Sequence, residues 1–171
     1  ASSSATLPTA LRVAETGLPL AYINQVGGQD ELVFDGASFV VNADGSVAVQ
    51  MPVWEEAVAI TEWRRDGNRW ACEPQPLAEI EQGDAANYLA CVTGLRDYVD
   101  KNGFPGVVLG LSGGIDSALC VAMAVDALGA ERVQGVMLPY TFTSNESLSD
   151  AGETAQALGV RYDIMPIHPA V

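Results

Sequence analysis

The chain has 171 residues, of which 49% are hydrophobic and 18% charged, a composition typical of a globular protein with one domain or two small ones. Its 22 acidic and 8 basic residues give a formal net charge of −14, and Lys101 is the only lysine. Such a chain would repel nucleic acids and anionic membranes, so we predict neither as a partner. Any phosphate ligand must then be held by backbone dipoles or by a metal ion.

The cysteines and the apolar runs indicate in which cellular compartment the protein occurs. Cys72, Cys91 and Cys120 are odd in number and far apart, which fits neither a metal-binding pattern nor a disulfide framework. The longest apolar run, 118–125, is too short to span a bilayer, and the first residues lack a signal-peptide pattern. We therefore predict a cytoplasmic protein.

The first part of the chain has a short helical pattern followed by strand patterns. A helix is predicted over 9–17, ended by Gly17 and Pro19. Asp35-Gly36 and the segment 42–45 have turn chemistry, which predicts antiparallel strands joined by hairpins. The predicted strands are 18–24, 31–34, 36–42 and 46–51. We assign residues 1–60 to one β-rich domain.

Residues 61–78 are interpreted as a connection between domains. The stretch is rich in arginine and tryptophan, and its prolines at 74 and 76 disfavour both a helix and strand pairing. The second domain is then expected over 79–171.

This second part alternates between helical and strand patterns. A first amphipathic helix is predicted from a cap at Asp84 to a stop at Asn102-Gly103. It is followed by strand 106–111, helix 116–128, strand 132–138, helix 147–158 and strand 160–164. Repeated strand-helix-strand units with short connections predict a parallel, doubly wound sheet.

The sequence GLSGGIDS at 110–117 joins the first of these strands to its helix. Glycines without side chains let backbone N–H groups approach a ligand, and the unpaired amides of the helix point into the same space. This construction suits a phosphate, with Ser112 and Ser117 as further donors. Asp116 would repel a polyphosphate unless a cation such as Mg²⁺ lay between them, so we predict it as a metal ligand. The alternative is a tight turn with Ser112 or Asp116 as a helix cap.

The loop has neither the lysine of a Walker A motif nor the spacing GxGxxG. It resembles the SGGxDS pyrophosphate loop of the N-type ATP pyrophosphatases, a resemblance that implies cleavage between the α and β phosphates of ATP. The residues that match the loop are Gly110, Leu111, Ser112, Gly113, Gly114, Ile115, Asp116 and Ser117. ATP and Mg²⁺ are the cofactors that this resemblance implies.

Two further stretches resemble glutamine-dependent NAD synthetases. Residues 136–171 resemble the NAD synthetase pattern, and Ser147 and Asp150 have the spacing of a capping box. Family members often have a basic residue near 141–142, where this chain has Thr141 and Phe142. Residues 18–45 resemble the closing strands of a nitrilase-like glutaminase domain.

The resemblance implies an α/β fold: a partial nitrilase-like α/β sandwich segment, then the first half of a doubly wound parallel sheet like that of the adenine nucleotide alpha hydrolases. It implies a ligase that adenylates deamido-NAD with ATP and then forms a C–N bond with ammonia from glutamine. Substrates would be ATP, deamido-NAD and glutamine, and the full enzyme would be a homo-oligomer.

The chain also departs from the family in its first part. A nitrilase needs a cysteine nucleophile and a lysine, and residues 1–71 contain neither, so we assign no catalytic residue. We interpret the chain as a central fragment that is inactive by itself. Asp30 and Glu31 are predicted as turn residues rather than part of an ammonia route, and His168 as a solvated loop residue.

Two alternatives stay open from the sequence. One is another N-type ATP pyrophosphatase, similar to GMP synthetase or to tRNA-modifying enzymes. The other is a truncated, non-catalytic interaction module.

Overall fold

The computed structural model describes residues 2–167, and in that range it contains four α-helices and ten β-strands. The chain forms two compact units, Ala1–Ala90 and Cys91–Val171. The predicted division at residues 60 and 78 stays a prediction. No helix within residues 2–167 has both the length and the apolar character that crossing a bilayer requires.

The first unit contains a helix, a three-stranded sheet and two hairpins. Helix α1 covers Ser2–Thr16, and the antiparallel sheet has the order β1-β4-β5. The strands of this unit are β1 (Leu20–Tyr22), β2 (Val26–Gln29), β3 (Leu32–Asp35), β4 (Phe39–Val41), β5 (Val47–Gln50), β6 (Trp63–Asp66) and β7 (Arg69–Cys72). Strand β2 pairs with β3, and β6 pairs with β7.

Strand β4 is buried on both of its faces. Phe39 and Val41 cluster with Val13 of α1, whereas Val40 clusters with Ala48, Val49 and Cys72. Successive side chains of a strand point to opposite faces, so the sheet is covered on one face by α1 and on the other by Cys72 of β7. This double burial explains why the strand is a continuous apolar run without alternation.

The segment interpreted as a connection is instead structured. Residues 63–72 form the β6–β7 hairpin, and beyond it the amide of Gln75 donates to the carbonyl of Ala48 at 2.8 Å. The amide of Ala78 likewise donates to the carbonyl of Gln50 at 3.1 Å. Residues 73–78 form neither a helix nor a strand, as expected from Pro74 and Pro76, and these single bonds attach the segment to β5.

The predicted hairpin at 42–45 is confirmed: the amide of Asn42 donates to the carbonyl of Ser46 at 2.8 Å. A hairpin at Asp35-Gly36 is wrong, because β3 pairs with β2 while β4 pairs with β1 and β5. Strand β2 has the sequence VGGQ and was missed, since glycine is depleted in strands. Helix α1 begins earlier than predicted and contains Pro8 in its interior.

The second unit has the predicted order of helices and strands. After α2 (Gly83–Lys101) come β8 (Val107–Gly110), α3 (Ile115–Leu128), β9 (Val133–Met137), α4 (Asn145–Leu158) and β10 (Arg161–Ile164). The three strands are parallel and have the order β10-β9-β8. The α/β fold class is confirmed.

Small buried residues allow the two later helices to pack closely. Val121 and Ala124 of α3 are fully buried, and Ala151 and Ala155 form the buried face of α4. Helix α3 packs against β8, β9 and α4. Side chains at i, i+3 and i+4 lie on one face of a helix, so these short side chains bring the helices against the sheet and against each other.

The residue predicted to cap α2, Asp84, lies inside the helix. The helix begins at Gly83, so Asp84 lies in its first turn, where a negative charge interacts favourably with the helix dipole. The predicted stop at Asn102-Gly103 is confirmed, because the helix ends at Lys101 and Gly103 has a φ of 69°.

Candidate functional site

A cavity of about 520 Å³ lies where β8 and β9 of the second unit end. Its lining comes from the end of β8, the end of β9 and the start of α4. The residues are Gly110, Leu111, Ser112, Val136, Met137, Leu138, Phe142, Thr143, Ser144 and Ser147. The carboxyl edge of a parallel sheet is where open α/β folds bind ligands.

The turn after β8 is held by its own serine hydroxyls. The amide of Ser112 donates to Ser117 Oγ at 3.2 Å, and the amide of Gly114 donates to Ser112 Oγ at 3.3 Å. Ser117 Oγ in turn donates to the carbonyl of Gly114 at 2.9 Å. The two hydroxyls therefore fix the shape of the turn, in addition to any contact with a ligand.

Helix α3 starts from this turn without a side-chain cap. Gly114 is the N-cap residue, and no side chain accepts a hydrogen bond from the first turn of the helix. The first amides of an α-helix have no acceptor inside the helix, and the helix dipole is positive there. An uncapped N-terminus beside a cavity is suited to bind an anion.

Gly113 brings the turn into contact with helix α4. Its φ is +83°, and a Cβ placed on it would lie 2.4 Å from the carbonyl oxygen of Ser147. Only glycine allows this approach, because any side chain would clash with backbone. The turn after β8 and the start of α4 are therefore close together at one edge of the sheet.

The start of α4 is capped by a residue other than the predicted one. Ser144 is the N-cap, and its Oγ accepts a hydrogen bond from the amide of Ser147 at 3.0 Å. The predicted capping box of Ser147 and Asp150 is wrong, since both residues lie inside the helix. Ser144 and Ser147 both line the cavity, and their hydroxyls lie 2.9 Å apart.

The predicted site residues occupy different positions around the cavity. Gly110, Leu111 and Ser112 line it, whereas 113–117 form the turn and the first turn of α3. The side chain of Leu111 is only 1% exposed and belongs to the core, and its amide donates to the carbonyl of Val136 at 2.9 Å, so this residue shapes the cavity wall rather than donating to a ligand. Ile115, in contrast, is 80% exposed.

The residues present fit a magnesium ion that is shared with a ligand. Within residues 2–167, no cluster of three carboxylate, histidine or cysteine side chains could hold a metal ion by itself. Asp116 is exposed in the first turn of α3. Mg²⁺ is typically held by one or two carboxylates together with substrate phosphates and water, so a single aspartate is sufficient for this mode.

Sequence reasoning missed Phe142 as a lining residue, together with Val136 and Met137 at the end of β9. The available signal was the family resemblance described above, which implies a basic residue near 141–142 where this chain has Phe142. Asp30 and Glu31 form the exposed tip of the β2–β3 hairpin, as predicted for turn residues. His168 lies outside the described residues.

Comparison with known proteins identifies the family. Residues 87–171 match the NAD synthase family, and residues 7–69 match the carbon-nitrogen hydrolase family. A glutamine-dependent NAD(+) synthetase of Rhodobacter capsulatus is 55% identical over 93% of this chain. The chain belongs to the family of the glutamine-dependent NAD(+) synthetases. The family member from Acinetobacter baylyi is 50% identical over 89% of the chain.

Solved structures of the family agree with this fold. The glutamine-dependent NAD+ synthetase of Acinetobacter baumannii, solved in complex with ADP, covers 98% of this chain with a TM-score of 0.90 and 46% identity. The family member from Cytophaga hutchinsonii, at 17% identity and a TM-score of 0.78, supports the fold alone. The chain spans 29% of the length of the Rhodobacter capsulatus synthetase and 28% of that from Acinetobacter baylyi.

Proposed function

We propose that this chain is part of a glutamine-dependent NAD(+) synthetase and that its 110–117 loop binds the phosphates of ATP. The observation that carries the proposal is the uncapped N-terminus of α3 beside a cavity at the carboxyl edge of the parallel sheet. The cavity lining contains no charged side chain, so the amides in the first turn of α3, beside the cavity, are the groups that suit an anion. The ADP complex of the Acinetobacter baumannii relative supports a nucleotide as the ligand.

The proposed reaction joins a carboxylate to ammonia through an acyl adenylate. The carboxylate of deamido-NAD attacks the α phosphorus of ATP, pyrophosphate leaves, and ammonia then displaces AMP to give the amide of NAD. The amides of the turn and of α3 would hold the triphosphate in position, and preorganised dipoles of this kind stabilise the charge that develops on the leaving pyrophosphate. Asp116 would hold Mg²⁺, which neutralises phosphate charge when it is bound.

Glutamine is the proposed source of the ammonia, but residues 1–71 supply neither the cysteine nor the lysine of a nitrilase site. The one cysteine of the first unit, Cys72, is buried, and the unit has no lysine, so we propose that it is a structural part of the glutaminase that lacks the reacting groups. We expect the isolated 171-residue chain to bind nucleotide without forming NAD.

We further propose a cytoplasmic enzyme that assembles as a homo-oligomer and binds neither nucleic acid nor membrane. The three cysteines are all free, in keeping with a reducing compartment. A net charge of −14 supports the exclusion of polyanionic partners. Sedimentation of the protein tests the assembly.

Titration calorimetry of this chain with ATP, in the presence and absence of Mg²⁺, tests the proposal. We expect saturable binding that is stronger with Mg²⁺, and we expect Asp116→Asn to remove most of that difference. Asp126→Asn is the matched control, since it makes the same charge change near the other end of the same helix and should leave the difference intact. If the unaltered chain gives no saturable heat with MgATP, the nucleotide site is rejected and a non-catalytic interaction module is favoured.

A further inference from the structure

Two aromatic side chains stand exposed on the segment that joins β9 to α4. Phe142 is 89% exposed and Tyr140 is 41% exposed. Their ring centroids lie 6.2 Å apart, and the ring planes make an angle of 55°. Tilted pairs of this kind are a favourable arrangement of aromatic rings. Such a large exposed apolar ring is costly in water unless another group covers it.

The backbone that carries these rings is held in place. The amide of Thr143 donates to the carbonyl of Tyr140 at 2.9 Å, and the amide of Tyr140 donates to Thr143 Oγ1 at 2.9 Å. The amide of Ile167 donates to the carbonyl of Pro139 at 3.2 Å. Because these bonds close the turn, the ring of Phe142 is presented with little further ordering of the chain, which lowers the entropic cost of binding.

Phe142 lines the same cavity as Gly110 and Ser112. The cavity therefore has two kinds of surface: the start of the 110–117 loop, which leads into the uncapped first turn of α3, and an aromatic ring on the side of the 138–144 segment. A nucleoside triphosphate has the matching two parts, an anionic tail and a planar base. The volume of about 520 Å³ falls in the range of small-molecule sites.

We infer that Phe142, supported by Tyr140, is a stacking surface for the purine base of the nucleotide whose phosphates occupy the 110–117 loop. This inference rests on the proposed nucleotide function and adds to it the contact that recognises the base. An aromatic side chain can hold a base by its π face without any charged group.

The test compares two ligands that share phosphates and differ in the base. The chain is titrated with MgATP and with magnesium tripolyphosphate by calorimetry. We expect Phe142→Ala to weaken MgATP binding about tenfold, the size of effect that one lost stacking contact produces. Binding of tripolyphosphate should be unchanged, and Phe142→Trp should bind MgATP as tightly as the unaltered chain or more tightly.

Phe104→Ala is the matched control. Phe104 is 47% exposed and is tilted against Tyr98 at a centroid distance of 6.0 Å, so it forms a similar pair. Phe104 precedes β8, at the end of the strand opposite to the cavity. Its replacement by alanine should therefore leave the affinities for MgATP and for tripolyphosphate unchanged.

Equal MgATP affinity of Phe142→Ala and the unaltered chain would overturn the stacking contact while leaving the phosphate site standing. An equal loss for both ligands would also overturn it, because a base contact cannot change tripolyphosphate binding. If the unaltered chain binds neither ligand, the proposed nucleotide site itself is rejected, and the stacking surface with it.

Discussion

Gly113 and Gly114 are adjacent and both lack a side chain, yet they have different roles in the turn. Gly113 has a φ of +83° and lies against the backbone of Ser147. Gly114 has a φ of −84°, and the nearest atom to a Cβ there would be Ser112 Oγ at 3.5 Å. The first glycine is needed for the fold, whereas the second keeps the end of α3 free of a side-chain cap.

We expect Gly113→Ser to destabilise the chain by about 2 kcal/mol or more, because a residue with a Cβ is strained at positive φ and would clash with Ser147. Gly114→Ser should change the stability by less than about 0.5 kcal/mol, since serine is at least as good an N-cap as glycine. Urea denaturation of both variants measures the difference. Equal stabilities would show that the turn does not press against α4.

Cys72 gives a second prediction for a single residue. The side chain is buried against residues of β4 and β5, and burial raises the pKa of its thiol, with the nearby charge of Glu73 acting in the same direction. We expect Cys91 and Cys120, which are exposed, to react with a thiol reagent at pH 8 in the native chain, and Cys72 to react only after denaturation. Counting the modified thiols before and after adding urea checks this.

The raised pKa of the Cys72 thiol also makes the stability of the chain depend on pH. A thiol whose folded pKa lies above its unfolded value of about 8.5 favours the folded state as long as it is protonated. Its contribution is complete below that value and is lost as the pH rises through the folded pKa. Cys72→Ala should therefore reduce the loss of stability between pH 8 and pH 10, when both proteins are measured by urea denaturation.

Among the elements, helix α4 shows how a start point is selected. Three serines, at 144, 147 and 149, are all acceptable caps by residue type, and the chain uses Ser144. The closed turn between Tyr140 and Thr143 places Ser144 where its hydroxyl reaches the amide of Ser147. Packing upstream of the helix thus decides which serine is the cap.

We expect Ser144→Ala to cost about 1 kcal/mol of stability, because one amide in the first turn of α4 loses its acceptor. Ser149→Ala is the control: Ser149 lies within the same helix and bonds only to the exposed side chain of Glu153, so its loss should cost a few tenths of a kcal/mol. Thermal unfolding of the two variants measures the loss of stability that each substitution causes. Similar losses would contradict the assignment of the cap.

For the whole molecule, the net charge of −14 opposes the anion that the cavity is proposed to bind. A site that relied on lysine or arginine would lose affinity as salt screens the attraction. The cavity is lined by uncharged residues, so screening acts mainly on the repulsion between the acidic chain and the nucleotide.

We therefore expect the affinity for MgATP to stay level or to rise when the KCl concentration increases from about 20 to about 200 mM, a range over which the screening length falls severalfold. Calorimetric titrations at several salt concentrations measure this dependence. A tenfold fall in affinity would indicate that basic side chains hold the phosphates.

The order of helices and strands in the second unit, and the position of the 110–117 turn between β8 and α3, could be predicted from the sequence. These features depend on apolar spacing and on glycine stops, which are local properties of the chain. Three other features emerge only from the folded chain: β4 pairs with β1, Gly113 contacts Ser147, and Phe142 lines the cavity. These are contacts between segments distant along the chain, and local spacing carries no information about which distant segments meet.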